Sequence, residues 1–379
     1  MHGDLNYVHL IDESIKKIFE SASRIALRDP SQTYFLLKTV RWQEKAARVR
    51  LKWRRGGIHV PPFIFISITD RCNLKCTGCF PQAKRHSGMP EMTESKLRSI
   101  MEEARELGIS FILLAGGEPL VRPEVLNIAK DFPEIIFPLI TNGLLIDEEV
   151  LTKLRGQQNV VPVISLEGYR KDTDNRRGKG VYDHLQQVIN LMRDKNIFFG
   201  ISLTVTRSNF GAVTNEGFIK HYLESGCKLF FFVGYVPIEQ GPENWVLTPE
   251  QRHSLIRRTY EYRSRFPGLF FFFPGEEEKF GGCLSAGRGF VHINPEGDLE
   301  PCPFVPYSDT NLRDFSLREA LQSEFLRKIR QSHEQLRRVT GSCILWEKRE
   351  WVRSLLSGDI RRTYHPDLIS GSLRNKTEC

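Results

Sequence analysis

The sequence holds no apolar run approaching the roughly 18 residues that a membrane-spanning helix needs. Its opening, MHGDLNYVHL, has an early acidic residue and no continuous apolar stretch, so no signal peptide is expected there. Cysteine is scarce: 8 in 379 residues is too few for a disulfide scaffold of this size. Without an export signal the chain is expected to be cytoplasmic, where thiols stay reduced. Clustered cysteines then point to metal or catalysis rather than to bridges. Neither sign of charge is lacking: 54 Lys and Arg stand against 46 Asp and Glu, a net +8. That excess hints at an anionic partner, but a solvated basic surface is the simpler explanation. With 40% hydrophobic and 26% charged residues, wholesale disorder is excluded.

Residues 1–60 read as a separate helical segment. Ile11, Ile15, Ile18, Phe19, Ala22 and Ile25 recur at helical spacing. The stretch 31–55 interleaves Lys38, Arg41, Lys45, Arg48, Arg50, Lys52, Arg54 and Arg55 with Trp42 and Trp53, and Gly56-Gly57 and Pro61-Pro62 stop it. From residue 63 short apolar strands alternate with helices. Strands are expected at 63–69, 111–115, 135–141, 160–166, 198–206 and 229–236. The helix after strand one has Thr93 as its N-cap and Gly108 at its end. Pro138 inside strand three argues for a bulge or an edge. Six apolar strands with long connections imply a parallel sheet covered on both faces. Periodicity alone leaves an open doubly wound sheet and a curved partial barrel both available. A helix is expected at 249–265. A different region follows from about 267, with an LFFFF run (269–273), a hairpin around Pro295-Glu296-Gly297-Asp298 and a helix near 316–333.

Cys72, Cys76 and Cys79 stand as Cys-x3-Cys-x2-Cys directly after strand one. Three thiolates on one loop suit an iron–sulfur cluster with one open iron. A Cys3His zinc site with His86 is the structural alternative. Ala-Gly-Gly-Glu-Pro (115–119), Thr141-Asn142-Gly143, Ser165-Leu166-Glu167-Gly168, and Thr204 with Thr206 follow or close strands two to five. In a parallel α/β architecture these strand ends share one face, where ligands bind. The cysteines lie on that face too.

The cysteine spacing, GGEP, and SLEG followed by DNRRG (174–178) resemble the radical S-adenosylmethionine (SAM) enzymes over roughly residues 63–240. The resemblance implies a partial (β/α)6 TIM-like barrel and a [4Fe-4S] cluster whose open iron binds SAM. Reductive cleavage of SAM would then yield a 5′-deoxyadenosyl radical that abstracts a substrate hydrogen. Carried over by position, Cys72, Cys76 and Cys79 are the cluster ligands. Gly116, Gly117 and Glu118 face the SAM amino group, and Asn142 belongs to the cofactor site. Ser165 and Arg177 face the carboxylate and ribose, with Arg176 as an equally basic neighbour. One departure stands out: the family commonly has an aromatic residue before the third cysteine, and this chain has Gly78, with Phe80 after the cysteine instead. Further on, Cys283, Gly297 and Cys302, followed by Cys343, resemble the ligands of a SPASM or twitch auxiliary-cluster domain; the alternative is three separate buried thiols. The dense middle cysteines of a full SPASM domain are missing, so a second auxiliary cluster is not expected. Cys227 is read as a structural thiol and terminal Cys379 as unliganded.

The expected division is a helical segment (1–60), a radical SAM core (61–245), an auxiliary-cluster domain (246–360) and a tail (361–379). The expected substrate is a peptide or small molecule, entering near the loop 235–245. The chain would modify a peptide or protein, or build a cofactor or metabolite. A flavodoxin- or ferredoxin-like protein would donate electrons. Alternatives are an RNA-binding or RNA-modifying protein, membrane-surface contact through 31–55, or a non-catalytic zinc or iron–sulfur module. Nucleic acid is not the expected partner, and no catalytic side chain is singled out.

Overall fold

The structure, a computed structural model, describes residues 4–26, 30–80, 89–237, 242–337, 343–356 and 361–362. Two helices come first, α1 (Asp4–Ala26) and α2 (Pro30–Arg55). Strands and helices then alternate: β1 (Phe63–Ser67), α3 (Glu94–Leu107), β2 (Phe111–Ala115), α4 (Glu124–Lys130), β3 (Phe137–Thr141), α5 (Glu148–Gly156) and β4 (Val160–Leu166). After β4 come α6 (Arg170–Arg177), α7 (Val181–Asp194), β5 (Gly200–Val205), α8 (Glu216–Glu224), β6 (Leu229–Gly234), α9 (Pro249–Arg265) and β7 (Leu269–Phe273). A hairpin of β8 (Phe290–Ile293) and β9 (Leu299–Glu300) follows. The expected cap and stop of α3 are both present: Thr93 accepts a hydrogen bond from the Lys96 amide, and Gly108 turns at φ +81°.

One sheet runs through the chain in the order β7-β6-β5-β4-β3-β2-β1-β8-β9. Strands β1 to β7 are parallel, and β8 adds to the free side of β1, also in parallel. The sequence reading counted six strands in this sheet. The LFFFF run joins it as β7, and the hairpin joins at the opposite edge. Pro138 lies in an interior strand, not at an edge. The Ile136 amide bonds toward β2 and the Phe137 amide toward β4, so the missing proline N–H falls on the β2 side. The sheet absorbs it by a sparse β2–β3 pairing.

The sheet curls until its two sides touch. Phe273 on β7 meets Phe65 on β1 at 6.1 Å and Phe290 on β8 at 5.6 Å, although five strands lie between β7 and β1. Phe65 and Phe290 stack at 4.8 Å. Phe273 also stacks on Phe304, which meets Phe80 edge-on at 5.3 Å. The interior-facing side of β1 is therefore the one carrying Phe65 and, two residues on, Ser67. Its other side, Ile64 and Ile66, is fully buried under the helices. The expected curved half-barrel is the fold observed.

The amino end of the barrel is closed by apolar contacts. Ile11 and Ile15 of α1 pack with Phe111, Ile136 and Phe280. Arg50 of α2 is buried, donating to the Gly108 carbonyl and the Asp12 carboxylate, which ties both N-terminal helices to the barrel. The β8–β9 hairpin is fastened to β1 by a buried polar chain: His292 Nε2 lies 2.8 Å from Ser67 Oγ and Nδ1 lies 2.6 Å from Glu300 Oε2. The helix expected near 316–333 is two pieces, Leu317–Ala320 and Glu324–Gln331, because Ser316 and Ser323 each cap a new start. No helix among the described residues is long and apolar enough to cross a membrane.

Candidate active site

The cysteine loop leaves the end of β1 and is held from below by the turn after β2. The Gly117 amide donates to the Thr69 carbonyl (2.6 Å) and the Glu118 amide to the Arg71 carbonyl (2.8 Å). Both glycines are sterically required. A Cβ on Gly116, at φ +130°, would stand 2.4 Å from Thr69 O, and one on Gly117 would stand 2.2 Å from Arg71 O. Thr69 Oγ1 and the Asp70 amide both donate to Glu91, fixing the start of the loop.

Glu118 is buried, and both carboxylate oxygens are occupied inside the protein. Oε1 accepts from Thr141 Oγ1 (2.7 Å) and the Leu120 amide, and Oε2 accepts from the Asn142 amide (2.6 Å). Burial pushes its carboxyl above the usual range, against the pull of those hydrogen bonds. Its carboxylate thus ties the ends of β2 and β3 together. Asn142 in turn reaches the cysteine loop, its Nδ2 donating to Asn73 Oδ1 (2.6 Å) and lying 3.7 Å from Cys72 Sγ.

The third support comes from β4 and α6. Glu167 is buried and accepts from Arg176 and from Arg177, the latter at 2.6 and 2.9 Å. Arg176 also donates to the Thr77 carbonyl (3.1 Å), while the Thr77 amide donates to the Arg176 carbonyl (3.0 Å). The two arginines therefore differ: Arg176 grips the cysteine loop itself, and Arg177 lies buried on Glu167. Burial alone would lower the Arg177 guanidinium, but Glu167, Cys76 and Cys79 outweigh it and hold it above its ordinary value. Burial likewise raises the Cys76 thiol, and Arg177 and Arg176 oppose that rise. Ser165, near the end of β4, pairs in register with Ser202 on β5.

Cys72, Cys76 and Cys79 are each partly exposed on this loop. Gly78 stands at φ +63°. A Cβ there would lie 3.0 Å from the Tyr235 hydroxyl and 3.3 Å from the Trp245 ring, and those two rings contact edge-on at 5.4 Å. The segment after β6 thus packs aromatic rings where position 78 has none. His86, the ligand of the zinc alternative, lies outside the described residues, as does Cys379. Among the described residues no three His, Cys, Asp or Glu side chains stand close enough to hold a single metal ion.

The second set of cysteines lies in the C-terminal region and is buried. The Cys283 amide donates to the Leu336 carbonyl, and the Ala286 amide donates to the Pro301 carbonyl beside Cys302. Cys343 heads the short helix Ile344–Glu347. Burial raises both Cys283 and Cys343, and the charge of Cys283 adds to the rise at Cys343. Cys227 is fully buried, bonds to the Leu229 carbonyl and is pushed up to about 12 by burial.

Sequence reasoning leaves the roles of four participants unread. Glu167 stood inside the quoted SLEG run, but nothing in its spacing told it from a turn residue. In sequence, Arg176 is indistinguishable from Arg177. Tyr235 and Trp245 fell in a loop whose relation to Gly78 needs the three-dimensional path.

The family profile of the Radical SAM superfamily matches residues 66–211. An AdoMet-dependent heme synthase of Methanosarcina barkeri is 27% identical over 314 residues, covering 75% of this chain and 89% of that protein. A GTP 3′,8-cyclase of Petrotoga mobilis is 37% identical over 284 residues, covering 66% and 84%. Streptococcus suis SuiB, solved with S-adenosylmethionine bound, shares the fold with a TM-score of 0.61 at 19% identity, over 76% of this chain and 72% of that one. Identity of this level across most of the cyclase's length turns the likeness carried by the cysteine spacing into membership: the chain belongs to the radical SAM superfamily.

Proposed function

We infer that the chain is an enzyme that binds SAM on the Cys72–Cys79 loop and acts on a substrate held in the phenylalanine-lined barrel. Family membership implies SAM and a [4Fe-4S] cluster, which together supply a 5′-deoxyadenosyl radical able to abstract a substrate hydrogen. One observation carries the reading: the turns after β2 and β3 and the pair Glu167–Arg176 all converge on the loop bearing Cys72, Cys76 and Cys79. The loop residues fit that cofactor. Gly116 and Gly117 bring bare backbone against it. Since both Glu118 oxygens are already bonded, the contact to the SAM amino group falls to the backbone of these glycines. Arg177 supplies a largely buried cation paired with Glu167, suited to a carboxylate.

The substrate reading is a cofactor precursor or other metabolite with an apolar face. The rings of Phe65, Phe80, Phe273, Phe290 and Phe304 make one connected apolar wall starting beside Cys79. A heme synthase among the relatives supports this. A peptide is the second reading, supported by SuiB, which is also known bound to its precursor peptide SuiA. We assign residues 1–60 to a collar, 61–245 to the core, 246–360 to an auxiliary-cluster region around Cys283, Cys302 and Cys343, and 361–379 to a tail. A small flavodoxin- or ferredoxin-like protein supplies the electron. The test is anaerobic reconstitution with iron and sulfide, followed by SAM and dithionite. 5′-Deoxyadenosine should form, and its absence from a protein with a full cluster would reject the assignment. The substrate is sought as the metabolite or peptide that accumulates when the protein is removed.

A further inference from the structure

Neither the barrel nor its chemistry accounts for the outer face of α2 (Pro30–Arg55). We propose that this face is a membrane-surface site that lays the chain on anionic phospholipid, apart from the site that takes SAM and its substrate.

One side of α2 is fixed to the protein. Thr39, Gln43 and Arg50 are buried, and Arg50 donates to the Gly108 carbonyl at 2.6 Å. Trp53 Nε1 donates to the Glu106 carbonyl at 3.5 Å, and a Cβ on Gly108 would stand 2.6 Å from the Ala46 carbonyl oxygen. The helix therefore cannot roll, and its other side faces solvent. Positions 37, 41, 44, 48, 51 and 55 recur at three- and four-residue steps, so they lie along that one side. Arg41, Lys45, Arg48, Lys52 and Arg55 are exposed there, with Glu44 as the one exposed acid. Glu44 lies 3.8 Å from Arg48, whereas Arg41, Lys45, Lys52 and Arg55 make no ion pair among the described residues. Leu37 and Leu51 stand on the same face, 61% and 47% exposed. They are about 21 Å apart along the helix axis. A lone exposed leucine is ordinary. Two in line with five cations on one helix face are the pattern of a helix lying in a bilayer surface, its cations on lipid phosphates and its leucines among the upper acyl chains.

Location separates a bilayer from an acidic electron carrier. Gly108, which α2 grips, precedes β2, so α2 lies at the amino ends of the strands. The Cys72–Cys79 loop leaves the carboxyl end of β1. A protein delivering an electron has to reach that far end. A flat anionic surface instead takes the length of α2 and leaves the cysteine loop open to solution. The phosphates of a nucleic acid would pair with the cations but leave both leucines without partners.

The test is co-sedimentation of the full chain with sucrose-loaded vesicles, either of phosphatidylcholine alone or of phosphatidylcholine mixed equally with phosphatidylglycerol. The chain should pellet with the mixed vesicles, stay in solution with the neutral ones, and be released by salt. Each cation at an anionic surface changes partitioning roughly fivefold, so Arg41→Gln, Lys45→Gln and Arg48→Gln together should weaken binding about a hundredfold. Leu37→Ser with Leu51→Ser should weaken it about tenfold. Both variants should keep the circular dichroism and the 5′-deoxyadenosine formation of the wild type, because these side chains are exposed. Equal binding to neutral and anionic vesicles, or unchanged binding in both variants, would overturn the site. A labelled RNA oligonucleotide bound through the same cations, with no binding to vesicles, would overturn it in favour of nucleic acid.

Discussion

The two cysteine triads of this chain are built in opposite ways. Cys72, Cys76 and Cys79 sit partly exposed on a loop whose backbone is pinned from three sides, with two arginines at their flank. Cys283, Cys302 and Cys343 lie buried and come from three separate stretches of chain. An open, cation-flanked loop suits a cluster that must meet a second molecule and an incoming electron. Buried surroundings suit one shielded from solvent. The lesson is that spacing alone puts the first triad on one loop, whereas any meeting of the second depends on the folding of distant stretches.

The comparison breaks most sharply at Cys76. Cys76→Ala should abolish 5′-deoxyadenosine formation, since the loop would lose the group that anchors a redox centre; residual product measured by chromatography under dithionite would collapse the distinction. Next in size is Glu167→Gln, which strips two arginines of their shared buried partner. Loss of such charge-assisted contacts costs about 1.5–3 kcal/mol, so SAM affinity by equilibrium dialysis should fall roughly ten- to a hundredfold. Arg176→Ala should chiefly reduce cluster content and Arg177→Ala chiefly SAM affinity; identical effects would deny them separate roles.

Thiol reactivity gives a smaller, direct contrast in the metal-free protein. Each unit by which a thiol's pKa is raised removes about tenfold of its thiolate at lower pH. Cys283 and Cys343 are buried and raised. At pH 8, iodoacetamide should therefore label them at least about tenfold more slowly than the partly exposed Cys72 and Cys79, by peptide mass spectrometry. Rising pH should bring the buried pair up last. The smallest effect is a count: the Cys283→Ala, Cys302→Ala, Cys343→Ala protein should hold about half the iron of wild type, roughly four against eight per chain, and still cleave SAM. Equal iron in both would remove the second triad from the ligand inventory.

Much of the fold was legible from local pattern. The apolar runs at 111–115 and 160–166 and the helix at 249–265 match the observed elements to the residue, because each is bounded by turn or capping signals. Spacing placed the first three cysteines on one loop after β1, and the two glycines of GGEP together, since contacts within a few residues are dictated by the chain itself. Closure of the barrel was beyond that reach. Whether LFFFF ends a domain or lies against β6, and whether Phe273 meets Phe65, depends on the accumulated twist of the strands between them. The same holds for charge. Which of Arg176 and Arg177 grips the cysteine loop and why Glu118 is spent on Thr141 and Asn142 are consequences of burial and of residues far apart in sequence. Local propensity carries no information about either, so those features emerge only when the packed chain sets which groups lose water and which partners they then meet.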